Sequence, residues 1–231
     1  MQRLLAIETS SEACSVALLF NGEIREKLVH APLMHAELLL PMVQEAMAES
    51  GLALNSLDAI VFGRGPGSFT SLRIGIGVVQ GLAWGADIPV VPVSSLQSVA
   101  QQAWHGANKE PPMCQRFLVA VDARMGEVFH CQYRAGADGL VQAEGPEAVA
   151  QPGSVGVTDA GFTMGLGNGF ERYPELVALA LGLLGVDATI GPSAAALIPL
   201  AQQWLQHHQG LPASEAQPVY VRNQVAEKPE K

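Results

Sequence analysis

The sequence predicts an α/β protein made of two βββαβα halves, and three observations carry that expectation. The first is strand chemistry: LLAI at 4–7 is a short apolar run, and in CSVALLF the residues Cys14, Val16, Leu18 and Phe20 fall on one face at period two. The second is Asn21-Gly22, which precedes EIREKLV; both residues tolerate the positive φ of a two-residue hairpin turn. The third is repetition. FLVAVDARMGEVFHCQY has the shape of LLAIETSSEACSVALLF: an apolar strand, an acid at its end (Glu8, then Asp122), a short polar turn and a second alternating strand.

In chain order, the hairpin is followed by a helix from about Met34 to Glu49, a strand in LDAIVF, a glycine-bearing turn, a second helix and a strand around IPVVPVS. GANKEPP at 106–112 is polar and proline-bearing, which divides the chain into an N-terminal unit, 1–107, and a C-terminal unit, 113–231. The second unit is less regular: EGPEAVAQPGSVGVTDAGF is dense in Gly and Pro, GLGNG makes a turn, and a helix runs from about Ala195 to His207. Two such halves facing each other describe the architecture of actin, the sugar kinases and the heat-shock ATPases, where nucleotide sits in the cleft between them. Architecture alone does not assign an activity.

Composition narrows the function classes. A chain of 231 residues, 48% hydrophobic and 6% aromatic, is that of an ordinary globular protein. MQRLLAIE lacks a secretory apolar core, and no apolar run approaches the roughly 18 residues of a membrane span, so a cytoplasmic location is expected. Cys14, Cys114 and Cys131 are odd in number and lack CxxC spacing, which argues for reduced thiols. A net charge of −9 is the wrong sign for a surface that grips nucleic acid by itself. Any such role goes through a partner, with Arg222 as one local basic exception.

The segment GRGPGSFTSLRIGIGVVQGLAWG, 63–85, opens like a phosphate-binding turn. It lacks the lysine of a Walker loop. Gly63-x-Gly65, Gly65-x-Gly67 and Gly75-x-Gly77 are followed, three residues on, by Ser68, Thr70 and Gln80, so no dinucleotide fingerprint forms either. What remains is a tight strand-to-helix turn in which Ser68 is placed to cap the helix. The helix itself carries Gly77, Gly81 and Gly85 at four-residue spacing, where each interior glycine costs about 1 kcal/mol relative to alanine. That stripe permits close approach by a helix of the same unit or of another subunit. The first helix has two apolar sides: Leu33, Ala36, Leu40, Val43 and Met47 on one, and Met34, Leu38, Pro41 and Met42 with Glu45 on the other, more than a core needs.

Catalytic constellations are thin. His30, His35, His105, His130, His207 and His208 include no helical H-x-x-x-H pair with a third ligand, there is no Gly-x-Ser-x-Gly elbow, and Cys114 and Cys131 show no His and carboxylate partners. Neither a catalytic residue nor a metal site is expected, and no cofactor. Glu8, Gly65, Gly67 and Asp122 are the candidates for a vestigial nucleotide cleft, because a nucleotide-hydrolysing member of this architecture keeps its metal-coordinating acids at the two strand ends.

Four motifs, GRGPGSFTSLRIGIG, HAELLLPMVQ, VDARMGEVF and PVYVRNQVA, together resemble the TsaB (YeaZ) family of tRNA threonylcarbamoyladenosine biosynthesis proteins, with similarity along essentially the whole chain. The resemblance implies a non-catalytic partner of the paralogous subunit TsaD. With this partner and the small ATPase TsaE, TsaD transfers threonylcarbamoyl to N6 of the adenosine after the anticodon in tRNAs reading codons that begin with A. It also implies an inherited glycoprotease label. TsaD carries a metal-binding His-x-x-x-His where this chain has Ser95 and Val99, and a Ser-Gly-Gly turn where it has Asp122-Ala123-Arg124. The implied contacts with TsaD, or with a second copy of this chain, are His35, Leu38, Leu39, Met42, Arg73, Gly77, Gln80 and Gly81 on the two helices, with tRNA held indirectly and no membrane involved. The rival readings are a nucleotide-binding ATPase or phosphotransferase using Glu8, the 65–70 turn and Asp122, and a peptidase.

Overall fold

The structure, a computed structural model, describes residues 2–106, 115–160 and 163–221. The expected boundary residues 108–112, Cys114 and Arg222 lie outside the described residues. The first sheet holds β1 (Leu4–Glu8), β2 (Ala13–Phe20), β3 (Glu23–His30), β4 (Ala59–Gly63) and β5 (Val90–Val93), in the order β3-β2-β1-β4-β5. Asn21 and Gly22 take φ of 53° and 82°, the turn the hairpin needs. The second sheet holds β6 (Arg116–Asp122), β7 (Val128–Ala135), β8 (Val141–Ala143), β9 (Ala148–Ala150), β10 (Thr163–Leu166) and β11 (Gly185–Asp187). Its order is β11-β10-β6-β7-β8, with β9 also on β7. In each sheet the first two strands pair antiparallel and the inner parallel pairs follow on the other side, β1 with β4 and β6 with β10. The duplication is thus visible in strand order and sense.

Alternation along β1 and β2 supplies two apolar faces. Leu5, Ile7, Cys14, Val16 and Leu18 meet α1 (His35–Ser50) and α2 (Phe69–Ala86). Leu4, Ala6, Ala17 and Leu19 meet a helix from the far end of the chain, Ala194–His207. Between these, α3 (Ser95–Gly106) leaves the first half and packs Leu96, Val99 and Ala100 against Phe117, Val119 and Tyr133 of the second sheet. With α4 (Gly169–Arg172) and α5 (Pro174–Ala180), the late helix is α6. Each half therefore contributes a helix to the other half's sheet.

Two departures from the expected elements have local causes. α3 replaces part of what reads as the approach to a linker, because its buried Ser95, Ser98 and Gln101 interrupt the apolar period. Among the described residues the second half shows no counterpart of α1: between β9 and β10 they hold no α-helix, in a stretch rich in Gly and Pro. No helix among the described residues is long and apolar enough to cross a membrane.

Candidate functional site

Glu8 ends β1 but faces away from open space. Its carboxyl is buried, accepts from the Ser10 backbone N at 2.6 Å and from Ser95 Oγ at 2.8 Å, and lies where a Cβ on Gly63 would overlap it. Ser95 Oγ in turn accepts from the Gly65 N at 3.2 Å. Burial pushes the Glu8 carboxyl above the usual range, partly offset by these hydrogen bonds. Ser95 is thus tied to Glu8, and Val99, one turn further along α3, is in the core.

Asp122, at the matching end of β6, is also occupied. It accepts from Tyr173 Oη at 2.5 Å and from the Arg124 backbone N at 2.9 Å, and pairs with Arg172 at 3.4 Å and with the Arg124 guanidinium at 3.5 Å. Burial and Asp122 push the Tyr173 hydroxyl up. Gly65 takes φ +88°, where a side chain is strained. A Cβ on Gly67 would overlap the carbonyl oxygen of Ser10, which accepts from Ser68 N at 2.7 Å. The glycines of this turn let two loops of the first half touch. Of the four expected cleft residues, Glu8 and Gly65 meet through Ser95, while Gly67 and Asp122 line a cavity of about 500 Å³ between the halves that Glu8 and Gly65 do not line. Ser68 does not cap α2, as the turn had suggested; its hydroxyl meets Ser71 Oγ at 3.0 Å. Arg124 to Glu12 at 3.0 Å and Arg64 to Glu147 at 3.1 Å join the halves across this region.

The outward side of α2 is a different surface. Gly75 packs inward, and a Cβ there would overlap Thr9 Oγ1. Among the described residues, nothing lies within 4 Å of the place a Cβ would take on Gly77, Gly81 or Gly85. Beside them Trp84 is 78% exposed, a residue that the glycine pattern alone does not mark as part of the surface. A groove runs between these residues and Ala213 and Ser214 of the C-terminal segment. That segment is fastened along α2: Gln80 Nε2 donates to the Ala216 carbonyl at 2.8 Å, and Arg73 Nε donates to Tyr220 Oη at 3.0 Å while its guanidinium lies 3.7 Å over the Phe69 ring.

Three of the eight expected contact residues prove inward-facing. His35, Leu39 and Met42 are buried, because α1 turns His35, Leu39, Met42, Val43, Ala46 and Met47 to the sheet, mixing residues from both of its apolar sides. Leu38 is half-buried, and Leu33, Met34 and Leu40 are left outside. Arg73 and Gln80 hold the chain's own C-terminal segment. Gly77 and Gly81 are open.

Comparison with known proteins places this geometry. The family model described as TsaD: tRNA N6-adenosine threonylcarbamoyltransferase matches residues 30–157. A protein of Escherichia coli (strain K12) described as tRNA threonylcarbamoyladenosine biosynthesis protein TsaB is 39% identical over 229 residues, 97% of this chain and 96% of its own. The chain belongs to the TsaB family. A TsaB of the same description from Haemophilus influenzae is 39% identical over 231 residues, covering 96% of this chain and 94% of its own. The solved structure of YeaZ from Pseudomonas aeruginosa, 41% identical, has a TM-score of 0.87 and covers 95% of this chain and 100% of that one. The TsaB fold is therefore the frame in which both the cleft and the α2 face are to be read.

Proposed function

We propose that this chain is an accessory, non-catalytic subunit in the biosynthesis of tRNA threonylcarbamoyladenosine. It binds and activates or stabilises TsaD, together with the ATPase TsaE, through the outward face of α2 and the adjoining exposed part of α1; alone, it pairs with a second copy through the same face. The observation that carries this reading is the glycine stripe. Gly77, Gly81 and Gly85 each weaken the helix by about 1 kcal/mol relative to alanine, yet among the described residues nothing comes within 4 Å of the place a Cβ would take. Glycine kept where no neighbour of its own chain needs the room fits a surface that another backbone approaches closely. The commitment of Glu8 to Ser10 and Ser95, and of Asp122 to Tyr173 and the arginines, supports a partner over a nucleotide enzyme. tRNA contact falls to TsaD.

The test is reconstitution from purified chain, TsaD, TsaE, unmodified tRNA and threonylcarbamoyl-AMP, with each protein omitted in turn. Modification is expected only when this chain and TsaD are both present, and none from this chain alone. Gly81→Leu is expected to weaken association with TsaD at least tenfold while leaving the monomer folded. Full modification without the chain, or wild-type association by Gly81→Leu, would refute the reading.

A further inference from the structure

Three residues at the mouth of the inter-half cavity hold a backbone conformation that their side chains disfavour. Six non-glycine residues among those described have a positive φ; Asn21, Asp87 and Asp159 are of the short polar types that take it readily, and the others are Leu33, Arg124 and Met125 at 68°, 60° and 55°. All three of these line the cavity of about 500 Å³. Leu33 follows Pro32 as the third residue of a turn that Met34 N closes on the Ala31 carbonyl at 3.2 Å, a place that calls for Gly or Asn. Met125 precedes Gly126 in the turn that Glu127 N closes on the Arg124 carbonyl at 3.1 Å, where Asn is the usual residue.

Burial does not offset the strain at either apolar side chain, since Leu33 is 96% exposed and Met125 65%. Leu33 belongs to the first half and Met125 to the second, so they flank the mouth from both sides. Strain kept at exposed apolar residues marks a surface that something covers.

The path of the chain names the occupant. Val219 N donates to the Arg64 carbonyl of the first half at 2.8 Å, Val221 packs with the core of the second half around Phe117 and Val119, and both line the cavity. The backbone therefore arrives at the mouth with ten residues of sequence, RNQVAEKPEK, still to follow. Extended, ten residues reach about 33 Å and the four steps from Val221 to Val225 about 13 Å, enough to cross a cavity whose volume corresponds to a width of about 8 Å. Three cationic side chains against two carboxylates also make this segment opposite in sign to a chain of net charge −9, which draws it inward.

We propose that residues 222–231 fold back over the cavity mouth, laying Val225 and Ala226 on Leu33 and Met125, and so close the space between the halves from within the chain. The contact is intramolecular. It involves neither Gly77, Gly81 nor Gly85, and it stands or falls apart from association with TsaD.

Hydroxyl-radical footprinting read by mass spectrometry tests this on the full chain beside a chain ended after Val221. A segment docked for about two thirds of the time leaves a third of the reactivity, so Leu33 and Met125 are expected to be modified about threefold more slowly in the full chain. Trp84 and Leu181, both exposed and outside the mouth, are expected to react alike in the two. Val225→Asp in the full chain is expected to raise the rates at Leu33 and Met125 to those of the shortened chain, and this variant decides the matter if shortening disturbs the fold. A synthetic peptide of residues 222–231, added in excess to the shortened chain, should restore the protection. Equal rates at Leu33 and Met125 in the full and shortened chains would overturn the proposal, as would wild-type protection in Val225→Asp. Protection that fades on dilution of the full chain would also overturn it, by assigning the mouth to a second copy.

Discussion

Gly75 and Gly81 lie on one helix, yet they answer opposite demands. On the inward side, Gly75 leaves room for Thr9, whose hydroxyl donates to the Ser71 carbonyl at 2.9 Å and so pins the β1–β2 turn onto α2. On the outward side, Gly81, with Gly77 and Gly85, leaves room that nothing among the described residues fills. A glycine stripe read from a sequence is therefore two signals superimposed. The inward glycine belongs to the fold, and the outward ones are a cost the fold alone does not explain.

The strongest way to break the comparison is to fill the inward position. Gly75→Leu is expected to destabilise the chain by about 3 kcal/mol, because the new side chain must displace Thr9 inside a packed turn. Chemical denaturation measures it. A loss under about 1 kcal/mol would mean that Thr9 swings aside freely and that the two sides of α2 do not differ.

Next in size is the pair that holds the same turn from the α3 side. Ser95→Ala removes the hydroxyl donated to a buried carboxyl and is expected to cost about 2 kcal/mol. The pH dependence has a definite sign. Glu8 titrates higher in the folded protein than in the unfolded chain, so its contribution favours folding below the ordinary glutamate range and is lost as pH rises through the raised folded value. Ser95→Ala raises that value further, and the deficit relative to wild type should grow as pH increases from acid toward neutral. A deficit independent of pH would show that Ser95 supports the fold by packing alone.

The outward side should respond with the opposite sign. Gly81→Ala is expected to stabilise the isolated chain by about 0.5–1 kcal/mol, since alanine restricts the unfolded chain and meets nothing in the folded one. Denaturation at a protein concentration low enough to keep the chain monomeric reads this directly. Destabilisation would mean that the stripe serves an internal contact after all.

The same contrast explains how much of the molecule was legible beforehand. The antiparallel pairing of β2 with β3 followed from period-two patterning and the Asn21-Gly22 turn, since both are local. α3 escaped because Ser95 and Gln101 are buried through tertiary hydrogen bonds, Ser95 with Glu8 and Gln101 satisfying the Val141 N and the Gly139 carbonyl, and such long-range pairing leaves no periodic trace. The site was half legible. Gly77 and Gly81 are open, as expected of contact residues, but spacing does not say which flank of a helix meets the sheet, and His35, Leu39 and Met42, expected as contacts too, are buried.

The smallest effect sharpens the comparison most. Arg73 and Gln80 are outward residues like Gly81, but they are employed within the chain, fastening the segment from Leu211 to Tyr220 along α2. Tyr220→Phe removes only the hydroxyl that accepts from Arg73 Nε and keeps the ring against Phe69, 5.8 Å between centroids. The contact is exposed and Arg73 keeps its place over Phe69 at 3.7 Å, so a loss of no more than about 0.5 kcal/mol is expected. If the glycine stripe alone meets TsaD, Tyr220→Phe should associate with it as the wild type does while Gly81→Leu fails. Equal loss by both variants would extend the surface to the C-terminal segment, making Arg73 and Gln80 positioning residues that present it. Binding assays on the two variants side by side, at one ionic strength, separate the outcomes, because one change removes a single hydroxyl and the other fills the open groove.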